Sequence, residues 1–331
     1  MTNISTPDPD EYRAVSQGAA LFDVSSGGRL RLSGADHLDF LQRLSTNDTV
    51  GCPVGAGLRT VFCDPRGRIV EVATLCRIDA DVTQAFIGPG RAPNLLGWLD
   101  RFHFGEYIEW QNETHWGRQI EIIGPLAARV SADVLNLEVE AAPAFSRLPH
   151  QSLMAMRINA GGHAGVRLWG NELGAVGEKL RAAGVVNVGD TTRETVRVED
   201  GEPGEAELTL EHNPWEAGLG EAIHMNKGCY TGQEVVARLD TYDKVKQHLV
   251  GLRLDAAVLA GARVEVQQRS VGNVTSVARS PYLGCLALAY VRTAHCNPGT
   301  AVVVQTETAD PVHAVVSQLS FPGLPRYPVA P

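Results

Sequence analysis

Apolar and polar positions alternate through Arg29-Leu30-Arg31-Leu32, which predicts a half-buried strand over residues 28–32. The period then changes. Leu38, Leu41 and Leu44 fall on one helical stripe within residues 35–44, and Ser33 is the expected N-cap. Residues 61–77 read as a hairpin, two apolar segments around the turn Asp64-Pro65-Arg66-Gly67. A helix over 93–102 turns Leu95, Leu96 and Leu99 inward. A strand follows at 120–123, and Pro125 is expected at the first position of a further helix. Residues 141–149 read as a loop and 154–159 as a strand. The stretch 172–183 reads as a helix stopped by Gly184, and Asp190 caps another that runs to Asp200 and ends at Gly201. After Lys246 helical periodicity disappears. Short β-rich runs recur at 248–254, 262–266, 272–278, 283–290, 301–305 and 312–319, with Gly or Pro near most breaks. The reading is α+β: a mixed region over 12–243, a small all-β barrel or sandwich over 244–322, and irregular ends at 1–11 and 323–331.

A length of 331 residues allows two or three domains with cores of their own. No apolar run approaches the roughly 20 residues that span a bilayer, so no membrane association is expected. The polar start, with Pro7 and Pro9, lacks the basic-then-apolar order of a signal peptide. A net charge of −9 without a Lys/Arg block argues against direct nucleic-acid binding, which needs clustered cations. Cysteines 52, 63, 76, 229, 285 and 296 include no CxxC pair, which argues against a locally built zinc or iron–sulfur site. Reduced thiols in the cytoplasm are the expectation. Gly-Gly pairs at 27–28 and 161–162 have no strand-to-helix GxGxxG context, so dinucleotide binding is discarded.

The chemistry concentrates in Lys227-Gly228-Cys229-Tyr230-Thr231-Gly232-Gln233-Glu234. Thr231 and Glu234 have capping-box spacing, and Val235, Val236, Ala237 and Leu239 carry the helix onward. That puts Cys229 just outside a helix start and two residues from a lysine, both of which favour thiolate over thiol. Gly228 and Gly232 clear space around the sulfur. The competing reading of Cys229 is a small buried hydrophobe.

The eight-residue string resembles the K-G-C-[FY]-x-G-Q-E signature of the YgfZ-type folate-binding proteins, relatives of the glycine cleavage aminomethyltransferase, or T-protein. Further segments line up in the same order: Phe22-Asp23-Val24-Ser25; Leu41 to Asp48, ending in Thr-Asn-Asp; Val61 to Ile69; Arg197-Val198-Glu199-Asp200-Gly201 with Pro203; and Glu216 to Leu219. Together they cover about two thirds of the chain. The resemblance implies a T-protein-like three-lobed fold, two α/β lobes and a C-terminal β-barrel around a folate-sized channel. It carries the pterin-holding glutamate onto Glu199, whose carboxylate suits the paired N–H donors of that ring. The competing reading makes Glu199 a solvated residue at a helix end. The implied cofactor is tetrahydrofolate or a one-carbon derivative. The implied partners are iron–sulfur enzymes or their assembly proteins, among them enzymes that modify tRNA. Cys229 is then the reactive thiol and Lys227 its activator, with Asn47, Arg238, Gly228, Gly232 and Gln233 lining the cofactor.

Other readings stay open. Asn47 also suits a helix C-cap. Arg238 is placed to pair with Glu234 or with a folate carboxylate. His212 and His224, near Trp215 and Glu216, read as packing or channel residues. Two departures from the T-protein pattern matter. The Asp-Asp pair expected after the hairpin glycine is Val70-Glu71 here, and no aromatic residue lies in 26–33 or 191–198, where relatives stack on folate. The second functional reading is a folate-dependent one-carbon transferase with Glu71 or Asp64 as acid–base group.

Overall fold

The structure is a computed structural model of the chain. It describes residues 4–150, 152–306 and 310–325. Helix α1, Pro9–Gln17, starts where an irregular lead was expected. Asp8 accepts from the backbone N–H groups of Asp10 and Glu11, and Pro9 occupies the first turn, where its missing N–H costs nothing. Tyr12 and Val15 of this helix are buried, so the segment belongs to the core.

The first lobe is an antiparallel sheet ordered Gly57–Cys63, Ile69–Asp79, Val82–Pro89, Gly27–Ser33 and Glu109–Asn112. Helices α2, His37–Leu44, and α3, Ala92–Leu99, cover one face. Leu30 and Leu32 of the alternating strand pack there against Phe40, Leu41, Leu95 and Leu99. Ser33 is the last residue of the strand and not a cap; α2 begins after Asp36. The predicted hairpin forms, and its Asp64 carboxylate accepts from the N–H groups of Arg66 and Arg68.

The second sheet runs Val186–Val188, Ala20–Asp23, Arg118–Ile123, His163–Gly170, Met154–Ala160 and Arg147–Leu148. Helices α4, Ala127–Leu135, and α5, Leu173–Ala182, pack over it around Ile122, Val166, Leu168 and Leu180. Pro125 lies before α4, not at its first position, and the stretch read as loop 141–149 contains Arg147–Leu148 as a short strand. The two lobes share a cluster in which Phe86 of the first sheet meets Trp169 of the second at 4.9 Å between ring centroids. Helix α6, Asp190–Asp200, ends at Gly201 with φ 69°, where a Cβ would lie 2.6 Å from the Ser320 nitrogen. Helix α7, Gln233–Thr241, follows the signature loop.

The chain closes with a barrel ordered Gln247–Leu254, Gly284–Arg292, Arg269–Ser280, Arg263–Val266, Ala301–Val304 and Val312–Ser317. Strand Gly284–Arg292 is buried on both faces: Ala287, Ala289 and Val291 fill the barrel, while Leu286, Leu288 and Tyr290 face the lobes. Two-sided burial explains its unbroken apolar run. The tail expected to be irregular lacks regular structure at 321–325 but is anchored: Phe321 is fully buried against Gly251, and its N–H donates to the Glu199 carbonyl. Residues 326–331 lie outside the described ones. Among the described residues no helix is long and apolar enough to cross a membrane.

Candidate functional site

The signature loop is clamped onto the end of α2. A helix leaves its last carbonyls without partners, and they carry the negative end of its dipole. Lys227, 8% exposed, meets them: its Nζ donates to the carbonyls of Gln42, Ser45 and Asn47 at 2.5–2.7 Å. Burial draws this ammonium down to about 8, and Asp48 opposes the shift. All three of its hydrogens are committed, so none is left for the Cys229 sulfur. The expected role as activator gives way to a capping role for a different helix. The Lys227 ammonium also lies 5.2 Å from the centroid of the buried Tyr230 ring. Three more bonds fasten the loop: His224 N–H to the Thr46 carbonyl, Thr231 N–H to the Arg43 carbonyl, and Thr46 Oγ1 to the Ala222 carbonyl.

The capping box does not form. Helix α7 begins at Gln233, its N-cap is Gly232 with φ 84°, and no side chain caps it. Tertiary contact is the reason: a Cβ at Gly232 would lie 2.5 Å from the Asp64 carbonyl oxygen of the facing hairpin. The left-handed conformation and the close approach both require glycine there. Nothing lies within 4 Å of a Cβ at Gly228, so its glycine leaves open space beside the sulfur. Cys229 itself is exposed, between two buried neighbours in the loop, Lys227 and Tyr230. Cys52, Cys63 and Cys76 are buried, and burial pushes the Cys76 thiol up to about 12. The hydrophobe reading of Cys229 is therefore overturned by its exposure.

The remaining predicted residues divide. Asn47 sits beside the clamp, but its amide is used internally: Nδ2 donates to the Arg59 carbonyl and Oδ1 accepts from Asp48 N–H. It is not the cap of α2, a place taken by Ser45. Gln233 is half-buried with its N–H on the Tyr230 carbonyl. Arg238 is exposed, and no ion pair joins it to Glu234 among the described residues. His224 is exposed, whereas His212 stacks on Tyr290 at 3.5 Å and its Nδ1 lies 3.1 Å from Gln247 Nε2.

Glu199 is elsewhere, where α1, α6 and the barrel meet. It is fully buried, which rules out a solvated residue, and Tyr12 Oη donates to its Oε1 at 2.7 Å. Tyr282, from the barrel turn after Arg269–Ser280, lies over Tyr12 with 5.8 Å between ring centroids. The chain thus brings Tyr12 against the carboxylate and Tyr282 against Tyr12, although residues 26–33 and 191–198 hold no aromatic residue. Neither was predicted, since their sequence neighbourhoods carry no motif. A second missed feature supports α6. Arg197 donates to Glu194, to the Glu202 carbonyl, to the buried Glu207 and to Ser276 Oγ, while Ser276 Oγ donates to Glu207. The strand register shifts between Val274 and Ser276, a bulge that leaves Thr275 as the extra residue while Ser276 stays paired with Leu288.

The two acid–base candidates are both occupied. Glu71 is 2% exposed, with Arg91 Nε 2.5 Å from its Oε2 and Val72 N–H on its Oε1. Burial raises its carboxyl above the usual range, against the pull of Arg91. Asp64 is spent on holding its own turn. Among the described residues no group of three or more His, Cys, Asp or Glu side chains gathers as a metal site. A cavity of about 640 Å³ lined by Asn136, His150, Asn171 and Lys179 contains none of the predicted site residues.

Known proteins share this architecture. The crystal structure of glycine cleavage system aminomethyltransferase T from Bartonella henselae superposes with a TM-score of 0.86, covering 98% of this chain and 92% of that one at 22% identity. Two sequence relatives are each 30% identical over 324 residues. A chloroplastic protein of Arabidopsis thaliana, named as a candidate transferase, is matched over 95% of this chain and 74% of its own length. The aminomethyltransferase of Symbiobacterium thermophilum is matched over 89% and 84%. The family model of the GCVT N-terminal domain matches residues 4–227, and that of the glycine cleavage T-protein C-terminal barrel domain matches 247–321. With both matched in order over this fold, the chain belongs to the glycine cleavage T-protein family.

Proposed function

We infer that the protein binds tetrahydrofolate or a one-carbon derivative and, as a YgfZ-type accessory factor, supports assembly or repair of iron–sulfur clusters in other enzymes. Its effect on tRNA-modifying enzymes is then indirect. The observation that carries this reading is Cys229, an exposed thiol on a loop pinned at both sides, in a family fold whose acid–base candidates are tied up. A thiol held this way can meet a client protein or its cluster without rearrangement of the loop. Glu199 fits the cofactor as a buried acceptor already hydrogen-bonded by an O–H donor, and it would take the ring N–H donors of the pterin. The six free cysteines fit a reducing, cytoplasmic setting.

The test has two arms. Tetrahydrofolate titration of wild type and Glu199→Gln is expected to lose binding in the variant; equal affinity removes Glu199 from the site. In cells lacking the gene and stressed by oxidant, wild type is expected to restore [4Fe–4S] enzyme activity and Cys229→Ala to fail. Equal rescue by both makes the cysteine structural. A one-carbon transferase is the second reading, favoured by relatives named aminomethyltransferase. Formation of methylene-tetrahydrofolate from an aminomethyl or methylated-amine donor would establish it.

A further inference from the structure

Glu199 is the penultimate residue of α6, and the last four carbonyls of a helix have no partner within it. Two of the four are satisfied locally. Gly201 N–H donates to the Val198 carbonyl and Glu202 N–H to the Arg197 carbonyl, the Schellman pattern around a left-handed glycine. The carbonyls of Glu199 and Asp200 are met from the far end of the chain. Phe321 N–H donates to the first at 2.9 Å, and Ser320 Oγ donates to the second at 2.8 Å. The segment that supplies these donors follows the last barrel strand, Val312–Ser317, and has anchors of its own. Phe321 is fully buried, and a Cβ at Gly251 would lie 2.5 Å from its Cζ, so only glycine admits the ring. Arg253 Nη2 donates to the Pro322 carbonyl at 2.7 Å, and Leu324 is buried. Ser320 holds φ 59°, a left-handed conformation that costs a residue with a side chain, and in that conformation its hydroxyl reaches Asp200.

We propose that residues 319–324 form a clasp that positions Glu199 for its ligand, with Ser320 and Phe321 as the positioning residues. This rests on the folate reading above and adds to it what holds the carboxylate in place. Both residues act through the backbone of α6 and not by touching the ligand. Helix ends fray, and a carboxylate in the last turn moves with the backbone that carries it. A ring with paired N–H donors needs its acceptor held to within about 0.5 Å. Capping the two remaining carbonyls from a segment anchored in the barrel removes that freedom. The placement of Glu199 is then set by the C-terminal barrel as well as by its own helix.

The test measures tetrahydrofolate affinity well below the melting temperature, together with thermal melting, for full-length wild type, Phe321→Ala, Phe321→Met, Ser320→Gly and Glu199→Gln. Phe321→Ala unseats the segment and is expected to bind about tenfold more weakly, while Phe321→Met refills the space and restores most of the affinity. Ser320→Gly separates positioning from stability. Glycine suits the φ of 59°, so melting is expected to hold, while loss of the hydroxyl weakens binding about threefold. A merely structural segment would lower the melting temperature of Phe321→Ala and leave the affinity of the folded protein unchanged. That result, with Glu199→Gln unable to bind, overturns the clasp and leaves the folate reading standing. Equal affinity of wild type and Glu199→Gln overturns the clasp together with the role of Glu199, and no binding by wild type overturns clasp and folate reading alike. If Phe321→Ala does not fold, Ser320→Gly decides: weaker binding at unchanged melting supports the clasp, and unchanged affinity overturns it.

Discussion

The molecule buries a charge at Lys227 and another at Glu199, and it stabilises them by different means. Lys227 directs three donors into carbonyls at the end of one helix and in the turn just beyond it, so its hydrogen-bonding capacity is exhausted within the protein. Glu199 is held by a hydroxyl from a distant helix, a donor that a ligand can imitate. The first arrangement makes a rigid clamp and leaves the neighbouring Cys229 outside. The second keeps an acceptor dry and exchangeable. Full internal satisfaction suits a structural anchor, and a replaceable partner suits a binding group.

The largest expected effect comes from breaking the clamp. Lys227→Met leaves three carbonyls without their donor and is expected to cost about 3 kcal/mol in urea unfolding. A loss below about 1 kcal/mol would show that the loop is not anchored there. Next is the contrast between the two glycines of the loop. Gly232→Ala meets both a left-handed φ and a backbone oxygen at 2.5 Å, so a loss of about 2 kcal/mol is expected. Gly228→Ala enters open space, and a change within about 0.5 kcal/mol is expected. Equal losses would overturn the assignment of Gly232 to crowding against the hairpin.

A pH series sharpens the comparison on the Lys227 side. Its ammonium is lowered by burial from 10.5 to about 8 in the folded protein. Between those values the unfolded chain holds the proton and the folded chain has released it, so this group makes stability rise with pH across that window. Below about 8 its contribution is flat at its least favourable level. Lys227→Met should remove that rise from the stability curve, and parallel curves for variant and wild type would contradict it. The smallest expected effect is on the exposed side of the clamp. Cys229→Ser should leave stability within about 0.5 kcal/mol. In native wild type, brief alkylation followed by peptide mass spectrometry should label Cys229 ahead of Cys63 and Cys76. Labelling of the buried pair first would refute the exposed-thiol description.

Local pattern was enough for much of the architecture. The alternation at 29–32, the Asp-Pro-Arg-Gly turn and the β-rich runs after Lys246 each reflect a period or turn chemistry that neighbouring residues impose, and each appears as expected. Caps were read less well. Ser33 and Thr231 have the side chains of N-caps, yet strand pairing claims the first and the approach of Asp64 sets a glycine after the second. Helix Pro9–Gln17 begins inside the end expected to be irregular at 1–11, because Asp8-Pro9 is itself a helix opening.

For the candidate site, the sequence by itself determined which residue types are present: a cysteine between glycines, a lysine two residues before it, and a glutamate at the end of a helix. Tertiary structure alone decided what each one faces. Lys227 turned toward α2, 180–185 residues away in sequence, because unpaired carbonyls there bind an ammonium more strongly than a sulfur does. Tyr12 reached Glu199 across 187 residues, and burying a carboxylate demands a donor of this kind. Partners that satisfy buried charges come from wherever the packed lobes bring them, and no local spacing records that choice.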